Sequence, residues 1–462
     1  MALNKELDVA VIGAGPAGFA ASIKAARLGG KVALVEKSSL GGTCLNKGCI
    51  PMKIALYATK LLEDFKKSQA FGFSLEYKSF DIKKLAQKKE QTVQKLSSKI
   101  EETIKKIKTI DFIKGKASLR KPNEIEVIDE KGNRSVINCK KVIIATGSEP
   151  LLLNTHELSI PEKSIMAPED FFALQNIPKS VLINNGDVIG VETAYLFNSL
   201  GVQTTLIEKG SSILPKEDKE IAIKLQRLMA SKGIKVFTNS RIKEVKEDKA
   251  IIVTKSGEKE IEASKIVLTE RVPCIKELNL DNLGIKVNNE GIEVNEKMET
   301  NVYGIYAVGD VVGGKWAHLA SYQGEVAAEN AMGNETIIDY KAIPRCLFTS
   351  PEVAFIGLSE DEAKEKGYKV KTGGSMFLWN SRANILEEGE GFIKIVVDEK
   401  FKEMLGIHMI GPMVTELINE CSLALKLEAT LDDLANTVHM HPTLAEALKD
   451  TASMMLSMWE AL

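Results

Sequence analysis

Histidine, cysteine and tryptophan are scarce in this chain: five, six and three residues among 462. Six cysteines over that length exclude a disulfide framework of the secreted kind. The polar start, Met1-Ala-Leu-Asn-Lys-Glu-Leu-Asp8, predicts no signal peptide and a cytoplasmic protein. No run of about 20 apolar residues is present, so no transmembrane helix is expected. Neither sign of charge dominates. Sixty-one basic residues face 63 acidic ones, and a net charge of -2 gives no reason to invoke nucleic acid or an anionic membrane. Low-complexity linkers and tandem arrays are also missing. What remains is a soluble globular composition, long enough for three or so domains.

Two of the few cysteines lie close together, in Gly41-Gly42-Thr43-Cys44-Leu45-Asn46-Lys47-Gly48-Cys49-Ile50-Pro51. A close pair in a cytosolic chain suggests redox chemistry or metal. Residues five apart on a regular helix rise about 7.5 Å, whereas a disulfide needs its Cα atoms within roughly 7 Å. The backbone must tighten between them, and Gly48 permits it. Two unpaired buried cysteines, or half a zinc site, are the alternatives; zinc would want further Cys or His at short spacing, and none is near. Cys139, Cys274, Cys346 and Cys421 are scattered and read as plain buried residues.

The pair follows a nucleotide-binding pattern. Asp8 to Ile12 reads as a buried parallel strand, Phe19 to Leu28 as a helix and Lys31 to Glu36 as a second strand. Between the first two stands Gly13-Ala-Gly15-Pro-Ala-Gly18. Strand, glycines, helix and a terminal acid together make a strong dinucleotide fingerprint. Gly13 makes the tight turn, Gly15 admits a pyrophosphate to the helix N-terminus, Gly18 lets helix and strand pack, and Glu36 suits a ribose. Ile54 to Phe65 reads as a helix, and Lys84 to Lys108 as a long Lys/Glu/Gln-rich surface helix. Lys141 to Gly147 is another buried strand, closing on a small-residue turn that contains Thr146 and Gly147.

A second unit begins at Val181 and reads Asn184-Asn-Gly-Asp-Val-Ile-Gly-Val-Glu192, then a helix to Leu200 and a strand from Val202 to Ile207 ending in Glu208. Its register puts Asn185, Asp187 and Gly190 where the three glycines belong. Asn185 can adopt a left-handed turn. Asp187 sets a carboxylate where backbone should touch an anionic pyrophosphate. Gly190 keeps the packing role, and Glu208 still suits a ribose and favours NAD over NADP. Asn301 to Asp310 is a strand ending in Gly-Asp, where the acid binds a ribityl hydroxyl or caps the strand. From Pro344 the pattern changes to strands at Val353–Ile356, Gly391–Val397 and Met404–Ile410, with helices at 414–427 and 431–436. Then comes His439-Met-His441-Pro-Thr-Leu-Ala-Glu446, readable as a helix-cap histidine or as a base held by a carboxylate.

Taken together, the cysteine stretch, Ala145-Thr-Gly147, Val308-Gly-Asp310, Pro351-Glu-Val353 and His441 to Glu446 resemble the pyridine nucleotide–disulfide oxidoreductases, most closely their lipoamide branch. The resemblance covers nearly the whole chain. It implies an α/β protein with two Rossmann-like dinucleotide-binding domains and a C-terminal α+β dimerisation domain. The boundaries expected are 1–148 for FAD binding with the redox disulfide, 149–270 for the NAD-like domain, 271–343 for a return to FAD and 344–462 for dimerisation. It implies that Gly13, Gly15, Gly18, Glu36, Gly42, Thr43, Lys53, Thr146, Gly147 and Asp310 serve FAD, and Gly190 and Glu208 the second nucleotide. Cys49 would sit against the flavin and Cys44 would exchange with the substrate. His441, oriented by Glu446, would act across a homodimer interface, and Lys53 would pair with Glu192 near the flavin. No metal is implied.

Three departures from that pattern stand out. Asn185 and Asp187 replace glycines, Glu270 precedes Arg271-Val-Pro273 where the family has glycine, and Met52 replaces a small hydroxyl residue. The first two add carboxylates to the second nucleotide site and leave the first untouched. The expectation is therefore an FAD-dependent dithiol/disulfide oxidoreductase acting on a dihydrolipoyl group of a separate carrier protein, with NAD(H) binding weakened or lost. Its electrons would then pass to another electron-transfer protein. A reductase for a different disulfide, or an electron-relay subunit of a larger complex, are the other readings.

Overall fold

In the computed structural model, residues 7–151 and 160–460 are described; the polar start over residues 1–6 lies outside them. β1 (Leu7–Ile12), α1 (Pro16–Arg27) and β2 (Val32–Glu36) form the first crossover unit. The strands are nearly continuous apolar runs because both of their faces are covered. α2 (Gly42–Asn46), α3 (Cys49–Lys67) and α4 (Ile82–Lys106) follow. β3 (Ile110–Lys114), β4 (Lys116–Lys121), β5 (Glu124–Ile128) and β6 (Arg134–Ile144) complete a sheet ordered β3-β2-β1-β6-β5-β4. β6 is long enough to pair antiparallel with β5 through its first half and parallel with β1 through its second.

β7 (Ser148–Pro150) leaves this sheet, and β8 (Ile165–Met166), β9 (Ser180–Asn184), α5 (Val188–Ser199), β10 (Gln203–Ile207), α6 (Lys219–Ser231) and β11 (Lys235–Phe237) build a second. β12 (Arg241–Lys246), β13 (Lys249–Thr254) and β14 (Gly257–Glu262) form an antiparallel meander packed on it through Ile242, Val245 and Ile252. β15 (Lys265–Leu268) completes the parallel order β11-β10-β9-β15-β8. β16 (Arg271–Pro273) then pairs with β7, so the paths out and back run side by side.

β17 (Ile305–Ala307) rejoins the first sheet beside β6. α7 (Ala317–Ala331) crosses α1, and small residues set their distance. A Cβ on Gly324 would lie 2.2 Å from the Ala17 carbonyl oxygen. β18 (Arg345–Leu347), β19 (Glu352–Gly357), β20 (Val370–Met376), β21 (Phe392–Asp398) and β22 (Met404–Gly411) form an antiparallel sheet ordered β18-β19-β22-β21-β20. Helices Val414–Lys426 and Glu446–Glu460 accompany it. A half-buried Arg345–Glu217 pair and a buried Lys394–Asp218 pair tie this sheet to the start of α6.

Candidate active site

The cysteine stretch is not one helix. α2 ends at Asn46, the Lys47 and Gly48 amides both return to the Thr43 carbonyl, and Gly48 leads into α3 at Cys49. This break is the local tightening that the spacing demands. Both sulfurs are free thiols, each half-buried. The two thiols interact with each other. That interaction, with burial, pushes the Cys44 thiol up, and it pulls Cys49 down against the cost of burial, helped by the Lys53 ammonium. The pair is therefore asymmetric: Cys49 is the sulfur more readily ionised and Cys44 the one that keeps its proton longer.

Lys53 is one turn further along α3. Its ammonium lies 2.9 and 2.8 Å from the two oxygens of Glu192 on α5, and 4.7 Å from the centroid of the Phe348 ring. Glu192 is buried and also accepts the Phe348 amide at 2.9 Å. A buried carboxylate held from two sides fixes the ammonium beside the cysteines. Phe348 had no signal in the sequence; its role depends on β18 coming from far along the chain. Replacing Lys53 with methionine should raise the Cys49 pKa, because its ammonium is one of the groups that lower it. Thiolate absorbance of the reduced protein, followed against pH, should then appear at higher pH than in the wild type.

The two βα turns can be compared atom by atom. Gly13 has φ +104 and Asn185 has φ +113, so asparagine has taken up the left-handed turn. Cβ atoms on Gly18 and Gly190 would strike the Gly13 and Asn185 carbonyl oxygens at 1.8 and 1.9 Å. Gly15 and Asp187 share one backbone geometry, φ -71, ψ -174 against φ -74, ψ -176. Glu36 accepts the Ala14 and Ser38 amides at 2.7 and 2.6 Å. Glu208 accepts those of Gly186 and Gly210 at 2.8 and 2.6 Å.

At their helix N-termini the turns diverge. α1 has no side-chain cap, and its approach is lined by bare backbone. A Cβ on Gly15 would meet only the Gly42 Cα, at 3.9 Å, and one on Gly42, whose φ is +59, would lie 2.6 Å from the Gly15 Cα. An open helix N-terminus faced by two glycines fits a pyrophosphate. Nearby, Gly147 has φ +73, Thr146 donates to the Cys274 carbonyl at 2.9 Å, and Ser148 donates to Asp310 at 2.7 Å. Arg271 in turn donates to the Ser148 hydroxyl at 2.9 Å and pairs with Glu169. Burial pushes the Asp310 carboxyl up. These groups fit FAD.

In the second turn the same position is filled from within. The Asp187 carboxylate accepts the Gly190 amide at 3.0 Å and lies 3.6 Å from Lys315, which precedes α7. The Asp187 amide is itself bonded to the Asn185 side chain at 3.2 Å. Lys209 and Glu270 pair at 3.1 Å. They follow the ends of β10 and β15, the two neighbours of β9, so their ion pair bridges the crevice in front of the Asn185–Asp187 turn. The chain thus places its own carboxylate where a dinucleotide's phosphates would be bound. Burial pushes the Asp187 carboxyl up. Lys315 and Lys209 had not been singled out in the sequence, although Lys209 adjoins Glu208. Met52, the third departure, packs into the core beneath α3.

His441 and Glu446 meet at 2.9 Å, and Glu446 also accepts the Thr443 amide at 2.8 Å, holding its pKa down. The imidazole is 71% exposed, and it hydrogen-bonds Glu446, not the cysteines of its own chain. His439 pairs with Glu420. Among the described residues no helix is long and apolar enough to cross a membrane, and no group of three or more His, Cys, Asp or Glu side chains could hold a metal.

Residues 7–324 match the pyridine nucleotide-disulphide oxidoreductase family model, and residues 343–452 match that family's dimerisation domain. A dihydrolipoyl dehydrogenase of Bacillus subtilis is 38% identical over 97% of both chains. The mitochondrial dihydrolipoyl dehydrogenase of Pisum sativum is 35% identical over 97% of this chain and 91% of its own. Among solved structures, LpdA of Mycobacterium tuberculosis superposes with a TM-score of 0.88 at 24% identity, over 97% of this chain and 99% of that one. The flavoprotein disulfide reductase RclA of Escherichia coli, as its Cu(II) complex, does so with 0.85 at 24%, over the same shares. The chain belongs to the pyridine nucleotide–disulphide oxidoreductase family and is most like its dihydrolipoyl dehydrogenases.

Proposed function

We propose that this FAD-dependent disulfide oxidoreductase oxidises protein-borne dihydrolipoyl groups through Cys44 and Cys49 and passes the electrons on without effective use of NAD(H). The observation carrying the second half is the Asp187 carboxylate capping α5, with the Lys209–Glu270 pair across the crevice. Asn185, Asp187 and Glu270 do not fit a nicotinamide dinucleotide, and no step is assigned to one. FAD would be held by Gly13, Gly15, Gly18, Glu36, Gly42, Thr43, Thr146, Gly147, Asp310 and Lys53, and when bound it supplies a two-electron acceptor for the Cys49 thiolate.

The sulfur steps belong to the chain. A substrate thiolate attacks Cys44 of the oxidised pair, breaking its bond to Cys49, which leaves as the thiolate that Lys53 stabilises. The second substrate thiol, as thiolate, attacks the substrate sulfur of the mixed disulfide and expels Cys44. The substrate leaves as a disulfide, two electrons poorer, and the protein pair is reduced. The base for the substrate thiols is His441, held by Glu446. Its exposure, and its separation from the cysteines of its own chain, support its delivery by a second copy in a homodimer. The domain limits 1–148, 149–270, 271–343 and 344–462 are proposed with this scheme; the departure of β7, the return along β16 and the antiparallel sheet beginning at β18 support them.

Anaerobic addition of dihydrolipoamide to the FAD-loaded protein is the test. One equivalent, two electrons, is expected to change the visible flavin spectrum with a long-wavelength thiolate–flavin band, and excess dithiol to bleach it; a spectrum unchanged by excess dithiol rejects the substrate class. If glutathione or another monothiol bleaches it equally well, the reading as a reductase for a different disulfide takes its place.

A further inference from the structure

α4 is 25 residues long and lies against both α2 and α3, the helices that carry Cys44 and Cys49. Its buried face presents Ile82, Val93 and Ile104. The opposite face is a stripe of lysine. At about 100° per residue, Lys84, Lys88, Lys95, Lys99 and Lys106 fall within an arc of about 60° and extend about 33 Å along the axis. All five are exposed. The only acid in the arc is Glu102.

What sets the stripe apart is alignment: five exposed lysines share one narrow face of one helix. Other exposed lysines, such as Lys219, Lys243, Lys249 and Lys426, pair with Asp361, Glu258, Glu260 and Asp339. Within α4, Lys89 and Lys105 pair with Glu90 and Glu101, and neither lies on the stripe. Among the described residues, Lys84, Lys88, Lys95, Lys99 and Lys106 make no ion pair. Five lysines against one acid in the arc, on a protein of net charge -2, form a local positive field rather than a general one.

The geometry points to a docking face for an acidic protein. Nucleic-acid surfaces add arginine forks and aromatic stacking to their charge, and this stripe has neither. Membrane-surface helices add an apolar face that enters the interface; here that face is buried in the protein, and no large apolar side chain of α4 is exposed. Ammonium groups alone steer encounters and set partner choice, as transient protein complexes require. The proposed dithiol chemistry enters only in identifying the partner's cargo as a lipoyl group. The helix that carries the stripe packs through its other face against α2 and α3, so a partner docked there is held on the domain that carries Cys44 and Cys49.

The test compares wild type with the Lys88→Glu/Lys95→Glu/Lys99→Glu variant and its Lys→Gln counterpart, all FAD-loaded. The probes are a reduced lipoyl domain of net negative charge, free dihydrolipoamide, a short duplex DNA and phosphatidylserine vesicles. At low ionic strength the Glu variant should bind the domain at least tenfold more weakly than wild type, with the Gln variant between them, and added salt should erase the difference. Flavin reduction by free dihydrolipoamide should be equal in all three. Equal domain affinity in wild type and variants overturns the proposal, as does absence of wild-type binding. Tighter binding to DNA or vesicles than to the domain, lost in the variants, also overturns it. If free dihydrolipoamide leaves every protein oxidised, the substrate reading fails while domain binding still decides the docking face.

Discussion

The double variant Asp187→Gly/Glu270→Gly is expected to gain NADH binding. In the wild type the Asp187 carboxylate caps the helix whose N-terminus a pyrophosphate would use, and Glu270 is tied to Lys209 across the approach. Two like charges 4 Å apart repel by about 4 kcal/mol at an effective dielectric constant of about 20. That energy corresponds to about a thousandfold in affinity; pairing of Asp187 with Lys315 offsets part of it. A gain of at least about a hundredfold is therefore expected, read as NADH-driven flavin reduction. The fold should tolerate the change. Aspartate to glycine at a helix N-cap costs only a few tenths of a kcal/mol, and the variant releases a carboxylate whose burial raises its pKa. The single variants should each recover only part, because both carboxylates face one ligand. If the double variant binds NADH no better than wild type, the two carboxylates are not what closes the crevice.

The second large effect concerns the sulfurs. Cys44→Ser should lower dihydrolipoamide oxidation by at least about 10⁴-fold, since no disulfide remains to be attacked. FAD content should not change, because the backbone of Gly42 and Thr43, proposed to hold FAD, is retained. The serine hydroxyl can still interact with Cys49, and Lys53 is unchanged, so the Cys49 pKa should stay lowered. Loss of turnover together with a retained thiolate separates the exchange role of Cys44 from a structural one. Oxidation with an artificial acceptor and a thiolate titration on the same sample measure both.

Much of this molecule was legible in the sequence, for reasons that differ from element to element. β1, α1 and β2 were readable because parallel strands buried on both faces are continuous apolar runs, and because the turn between them needs glycine at fixed places. The break between α2 and α3 followed from the five-residue cysteine spacing. Asn185 in a left-handed turn followed from its place in the register, and the structure gives it φ +113. The antiparallel C-terminal sheet came through less completely. Its β20 contains Gly373 and Gly374 and alternates weakly, so periodicity gave it no voice. The strand expected over Asn301–Asp310 is only Ile305–Ala307, since Gly309–Val312 turns into a short helix at once.

What the sequence kept back are contacts between distant segments. Phe348 reaches Glu192 across 156 residues, and Lys53 reaches the same carboxylate across 139. The second of these was expected through resemblance, the first was not. The register warned of an anion at Asp187, but its seat on the Gly190 amide and its pairing with Lys315 depend on how α5 and the segment before α7 meet. Glu270 was visible as a misplaced acid; its lysine partner became visible only when β10 and β15 were seen to flank β9.

The central claim is that the chain takes electrons from a dithiol and has closed its nicotinamide site. Anaerobic titration of the FAD-loaded protein with NADH tests it most directly, with dihydrolipoamide as the control in the same cuvette. The account predicts a flavin spectrum unchanged by several equivalents of NADH and then altered by the dithiol added afterwards, with a long-wavelength thiolate–flavin band at one equivalent. Stoichiometric bleaching by NADH alone would contradict it, and would make Asp187 and Glu270 residues that move aside for the dinucleotide.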